Sequence, residues 1–367
     1  MDLRKLQFCF KVGSFLTLTP PSLTSLKPTV LERFYVSLVF CLYTIATICN
    51  KLQKKQFYPI LSSVQLIFHL MVDLILGLHT CYCLVLLLTT RRRQWFKLVN
   101  SLSRIERFST SNTNNWRFVV ALVIFAAASI STTSLWMYLV GWLYFKIYVI
   151  EYVQVYTEFF YMVLACTILN MVLERYKSQS CLLRDQIKFG KKATKDVVKL
   201  LKQVKLNAFM LKEAVDAFNE IFGWVILLNI FFGCSKGLSF LYNLLESESS
   251  SSEDSIGVVV FLSFTKHCTI VTYCIAIAQT LLLCDTILKE FEVVVDLSQH
   301  LETHLSDLVL YESNDFHNFA AAILHNQPEF NAARFFSIDR STVFSILNSM
   351  TTFLLVIIQF KSDKSEK

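Results

Sequence analysis

Seven stretches of this 367-residue chain are apolar enough to be read as bilayer-crossing runs, the first of them short. A helix needs about 20 mainly apolar residues to traverse the roughly 30 Å hydrocarbon core. The runs fall at residues 34–49, 64–90, 118–145, 147–173, 221–245, 256–284 and 342–360. In lipid every backbone polar group must be satisfied internally, so such runs have to be helices. Composition agrees: 54% of residues are hydrophobic and only 17% are charged, against roughly 25% charged in a soluble domain. The expected fold class is therefore an all-α membrane protein with seven transmembrane helices. The first thirty residues hold no apolar core with a small-residue cleavage site, so insertion is expected to rely on the first span.

Orientation follows from the Lys/Arg bias. With the N-terminus in the cytosol, the inside segments carry 26 Lys/Arg and the outside segments 7, with Lys236 and Lys266 inside spans. This predicts a cytosolic N-terminus and an extracellular C-terminus, the reverse of a G-protein-coupled receptor. The expected organisation is a cytosolic segment 1–33, a six-helix bundle 34–284, a cytosolic helical anchor 285–341, a seventh span 342–360 and an extracellular tail 361–367. Within the bundle lies the basic segment 174–220. Its apolar residues recur at helical spacing among lysines, which predicts cytosolic extensions of the fourth and fifth spans; anionic membrane lipid is the alternative partner. The loop at 246–255 is acidic and serine-rich and reads as a solvated linker. None of the 11 cysteines falls in an expected external loop, so no structural disulfide is expected.

Motifs for enzyme catalysis are missing: there is no phosphate-binding Gly loop, no His-Glu-x-x-His, no Cys-x-x-Cys and no Gly-x-Ser-x-Gly. No catalytic residue, metal site, cofactor or nucleic-acid partner is expected. What remains is a set of ionisable residues inside spans, which are costly in lipid and face a cavity or a partner. These are Asp73, Glu158, Lys236, Lys266 and His267. At 1.5 Å per residue, Asp73, Glu158 and Lys266 lie on the order of 15 Å below the outer surface, with Lys236 also in the outer half. They either close the bundle as two ion pairs or line one ligand cavity. Trp136, Tyr138, Trp142 and Tyr144 form either an interfacial aromatic belt or a stacking surface for ligand. Gly233 and Gly237 match a close-packing motif. In the last span Ser345, Ser349, Thr352, Val356 and Gln359 fall on one helical stripe, at intervals of 4, 3, 4 and 3. Such a stripe suits a water-filled path with Val356 forming a hydrophobic ring in it; Gln359 either lines that path or bonds to a neighbouring helix at the membrane edge.

The same span reads Thr352-Phe353, five hydrophobic residues, then Gln359-Phe360. This resembles the signature of the insect gustatory receptors, with Phe353 in place of the usual Tyr. The stretch from Phe335 to Arg340 also looks like the lead-in to that family's last helix, and within it Ser337-Ile338-Asp339 reads as a helix N-terminal cap. The resemblance implies the insect chemoreceptor channel fold: a homo- or hetero-tetrameric, ligand-gated, non-selective cation channel. In it, the last helices surround a pore gated near Gln359 and Phe360, and the first six spans hold a ligand pocket open to the outside. It further implies a small-molecule tastant and the plasma membrane of gustatory neurons, in dendrite, axon and cell body. The sugar-sensing branch carries an acidic residue where this chain has Leu354, so a bitter or other non-sugar tastant is expected. An odorant-receptor-like channel is the nearest alternative. A G-protein-coupled receptor is disfavoured by orientation, and a small-solute transporter by the absence of internal repeats or broken early helices.

Overall fold

In the computed structural model the residues described are 2–15, 18–20, 29–55, 58–60, 62–84, 92–105, 116–189, 194–247, 256–306 and 319–365. They form a helical bundle: α1 (Asp2–Phe15), α2 (Val30–Lys54), α3 (Ser63–Cys81), α4 (Arg92–Arg104), α5 (Trp116–Val140), α6 (Trp142–Phe189), α7 (Thr194–Ser247), α8 (Ile256–Ser306), α9 (Phe319–Leu324) and α10 (Arg340–Ser365). Six of these helices are long and apolar enough to cross a membrane: α2, α3 with its continuation to Leu84, α5, α6, α7 and α8. The chain is thus an all-α, multi-pass membrane protein. The seventh expected span, 342–360, lies within the 26-residue α10, which at 1.5 Å per residue is about 39 Å long.

Helix lengths explain the extramembrane parts. α6, α7 and α8 have 48, 54 and 51 residues, so each is more than 70 Å long by the usual rise, over twice the hydrocarbon core. The basic stretch 174–220 is accordingly the ends of α6 and α7 rather than a loop, apart from 190–193, outside the described residues. α6 packs against α8, α5, α7, α2 and α3. Most of its best apolar window is buried, whereas α2 has almost none of its window buried and turns Leu38, Leu42, Ile45 and Ile48 outward. The helix that most constrains the others is in the middle, and the one facing lipid is on the rim.

Three boundaries depart from the sequence reading. The third span does not run to residue 145: α5 ends at Val140, Gly141 turns the chain at φ +86°, and α6 begins at Trp142. A left-handed φ strains any residue with a Cβ, and glycine adopts it freely. The unbroken apolar run hid this reversal because the reversal takes a single residue. The first span is longer than 34–49. It starts behind a capping box formed by Thr29 and Glu32 and continues to Lys54, which is buried rather than in an external loop. The anchor is not wholly helical. After α9 a short hairpin pairs β1 (Asn331–Ala332) with β2 (Phe336–Ser337), antiparallel. A Cβ on Gly223 would stand 2.8 Å from the Ala333 backbone nitrogen, so the hairpin sits directly on α7.

At the anchor end, an aromatic core joins elements distant in sequence. Trp95 of α4 meets Phe10 of α1 and Phe222 of α7 edge-on, at centroid distances of 5.2 and 5.5 Å. Phe218 stacks on Phe222 and meets Phe330 before the hairpin. These pairs are each worth about 0.5–1.5 kcal/mol beyond their burial. Arg175 is buried in this region, where its Nε donates to the Leu102 carbonyl and an amino group to the Met171 carbonyl. The helix start expected at Ser337-Ile338-Asp339 is present. Asp339 Oδ1 accepts from the Thr342 backbone N–H at 3.0 Å and from the Ser341 hydroxyl at 2.6 Å. Those hydrogen bonds hold its carboxyl below the usual carboxylate range.

Candidate functional site

Near the Gly141 turn the bundle opens into a cavity of about 440 Å³ between α3, α5, α6, α7 and α8. That volume lies within the usual range for small-molecule sites. One wall is aromatic and comes from a register in α6. Tyr144, Tyr148 and Tyr152 recur every four residues, so they share one helix face. Trp136 of α5 stacks on Tyr144 at 5.2 Å, Tyr144 stacks on Tyr148 at 4.6 Å, and the Tyr144 and Tyr152 hydroxyls are 2.9 Å apart. Phe232 and Phe240 of α7 and Tyr273 of α8 close the other side.

The same α6 face carries Glu151, which lines the cavity and binds two ammonium groups. Oε1 accepts from Lys236 at 2.7 Å and Oε2 from Lys54 at 2.7 Å. Lys54 also reaches Asp73 at 3.4 Å and lies over the Tyr148 ring at 5.0 Å. Two lysines and two carboxylates from α2, α3, α6 and α7 thus form a charge-neutral network. In a poorly hydrated setting such a set is tolerated only when every member is paired.

A second polar group lies deeper. Glu158 is fully buried; its Oε2 is 3.0 Å from the Tyr273 hydroxyl, and its Oε1 is 4.0 Å from Nδ1 of buried His79. Tyr273 also contacts Asn229 Oδ1 through a short hydrogen bond. The Asn229 amide nitrogen donates to the Val225 carbonyl at 2.6 Å, which fixes the amide orientation. Tyr273 has a single hydroxyl proton, and two oxygens face it. Both contacts of Tyr273 can form together when it donates to Asn229 and accepts from Glu158 as a neutral carboxylic acid, with Glu158 Oε1 left without a hydrogen bond. This suits a position where a bare carboxylate would be very costly.

The residues singled out from sequence therefore part company. Lys236 and Trp136 line the cavity, and Asp73 supports it through Lys54. Glu158 belongs to the deeper set and reaches the cavity only through Tyr273. Trp142 and Tyr138 are exposed and are not among the residues that line the cavity. Lys266 and His267 are on α8, with side chains outside the described residues. Gly233 and Gly237 mark close approaches. A Cβ on the first would meet Ile277 of α8 at 2.8 Å, and on the second Met350 of α10 at 2.9 Å. Sequence reasoning missed Glu151, Lys54 and the tyrosine face. Glu151 lies inside the 147–173 span, and the tyrosines sit at four-residue intervals around it, so both signals were present. Lys54 was hidden by too short a first span.

α10 carries the remaining candidates. Val343 and Ile346 pack on the bundle core, and Met350 reaches Gly237. At 100° per residue the stripe of Ser345, Ser349, Thr352, Val356 and Gln359 lies on the far side of the helix, and all five are exposed. The Ser345, Ser349 and Thr352 hydroxyls donate to carbonyls four residues back, which leaves their oxygen lone pairs facing outward. Phe353 is also exposed; the Phe360 side chain is outside the described residues. Among the described residues no His, Cys, Asp and Glu side chains gather as a metal site.

The profile of a family described as 7tm chemosensory receptor matches residues 6–364. The chain belongs to that family. Over 197 residues this chemoreceptor is 25% identical to "Putative gustatory receptor 28b" of Drosophila melanogaster, a match that covers 53% of the chain and 41% of that relative. In fold it is similar to the insect olfactory receptor OR5 from Machilis hrabei. The TM-score is 0.66 at 17% identity, covering 98% of this chain and 97% of the other. The same receptor in complex with eugenol gives a TM-score of 0.67 at 15% identity, covering 98% and 99%. This is a multi-pass membrane protein of the insect chemoreceptor superfamily, seated in the plasma membrane, in a family of receptors rather than enzymes.

Proposed function

We propose that this chemoreceptor is a ligand-gated, non-selective cation channel, in which a small molecule bound in the aromatic cavity opens a path lined by α10. The observation that carries the reading is α10 itself. It presents a polar stripe on the side opposite its own bundle, and all five stripe residues are exposed among the described residues of one chain. Several copies arranged around an axis would turn the stripes toward one another, and a tetramer matches what the C-terminal motif implies. Outward hydroxyl lone pairs and a neutral amide suit partly hydrated cations, and with no acidic residue on the stripe, discrimination among monovalent cations is weak. The charge bias supports a cytosolic N-terminus and an extracellular C-terminus. That orientation places the cavity in the outer half of the bundle.

The whole-chain likeness runs to an olfactory receptor, whereas the C-terminal motif and the partial sequence match run to the gustatory side. An odorant-receptor-like channel is thus better supported than a role confined to taste. The test is to express the full chain and record whole-cell current while a panel of volatile and contact stimuli is applied. The proposal expects a stimulus-evoked cation current that disappears in Ser239→Trp, which fills the cavity, with surface delivery unchanged. Evoked signals that need a G-protein and carry no current of their own would refute it.

A further inference from the structure

We propose that the cavity selects uncharged, ring-bearing molecules that present an oxygen acceptor to Lys236, and discriminates against both amines and carboxylates. This rests on the cavity being the ligand site. Besides its tyrosines and Cys274, the ionisable lining residues are Glu151, Lys236 and His69. An amine would need a carboxylate, and both oxygens of Glu151 already hold ammonium groups at 2.7 Å. An acid would need an ammonium, and adding it to Lys236 would leave the Lys54–Asp73–Glu151–Lys236 set with an excess negative charge. Either ion enters a site walled by aromatic rings, where an unbalanced charge is poorly solvated.

A neutral acceptor meets neither obstacle. An ammonium has three N–H donors. Glu151 takes one from Lys236, whose side chain is 28% exposed at the cavity. The Phe232 ring lies 5.8 Å from the same nitrogen. A carbonyl, ether or hydroxyl oxygen can take a further N–H while the ring of the ligand stacks against Tyr144, Tyr148 and Trp136. The ion pair stays intact and the network stays neutral. Lys236 is then a specificity-determining residue, and Glu151 positions it.

The test compares phenylpropanol, phenylpropanoate and phenylpropylammonium, which share ring and chain length. Each is titrated into the purified full-length receptor in detergent, with binding read from thermal stability and not from current. The alcohol should bind about tenfold or more tightly than either ion, as expected when an ion must break a desolvated pair, and Ser239→Trp should abolish its binding. Lys236→Met should weaken the alcohol about tenfold and make phenylpropylammonium the best of the three, because Glu151 then shares only Lys54. Lys236→Arg should retain the wild-type order. Equal binding of the three probes, binding of none, or an unchanged order in Lys236→Met would overturn the proposal. If the predicted order appears but no stimulus evokes current, the ligand class stands and the channel reading fails.

Discussion

The cavity end of the bundle and α10 are built on opposite terms. Around the cavity, the charged groups are paired within the chain: Glu151 holds two lysines, Lys54 also reaches Asp73, and deeper in Tyr273 links Glu158 to Asn229. Along α10 no described side chain is buried, and the Ser345, Ser349 and Thr352 hydroxyls donate to carbonyls of their own helix. The first region is complete in one copy. The second is complete only if something else covers it. Substitutions should therefore act on stability in the first region and on function without stability in the second.

The largest effect is expected at Glu151. Glu151→Gln strands Lys236 and leaves Lys54 with Asp73 alone. Breaking a buried pair costs about 3–5 kcal/mol, so the thermal midpoint of the purified receptor should fall sharply. Lys236→Met should cost less, because Glu151 keeps Lys54. The double variant should recover part of the Glu151→Gln loss, a coupling that a double-mutant cycle reads directly. Additive losses would show that the network is not one unit.

Glu158 sharpens the contrast between a charged pair and a neutral hydrogen bond. If Glu158 donates to Tyr273 as a neutral acid, Glu158→Gln keeps a donor of nearly the same shape and should cost under about 1 kcal/mol. Glu158→Leu removes the donor and leaves Tyr273 short of a partner, at about 1–3 kcal/mol. Equal losses in both variants would mean that a charge, not a proton, is what matters there.

A smaller effect belongs to the start of α10. Asp339→Ala removes the N-cap and should cost about 1 kcal/mol, with Asp339→Asn close to wild type. Because the folded carboxyl is held below its ordinary range, its contribution is fully present above that range. It is lost as pH falls through the lowered value. A destabilisation by Asp339→Ala that persists unchanged at low pH would contradict this assignment.

How much of this was legible beforehand varies with the kind of signal. Periodicity and length gave the helices, and Asp339 announced the start of α10 through its cap. The stripe on α10 was visible because hydroxyl residues at helical spacing are rare in an otherwise apolar run. The cavity was only half visible. Lys236 and Trp136 stood out, yet their partners come from α2 and the α6 face, and no local rule pairs Lys54 with Glu151 across 97 positions. The reversal at Gly141 was invisible to hydropathy, since apolar residues flank it on both sides. Glu158 looked like a charge in search of a counter-charge. Only the positions of Tyr273 and Asn229 show that it sits in a hydrogen-bonded set instead.

The most direct test of the contrast is a cysteine scan of residues 345–360 in which a charged thiol reagent is applied during stimulus-evoked current. Stability should change by no more than about 0.5 kcal/mol at the exposed stripe positions, so any effect there reports on conduction. Block should follow Ser345, Ser349, Thr352, Val356 and Gln359. It should be strongest at Val356 and Gln359 and weak at Leu355 and Ile357. Block that is uniform around the helix, or centred on Ile346 and Met350, would show that α10 does not line the ion path in this register.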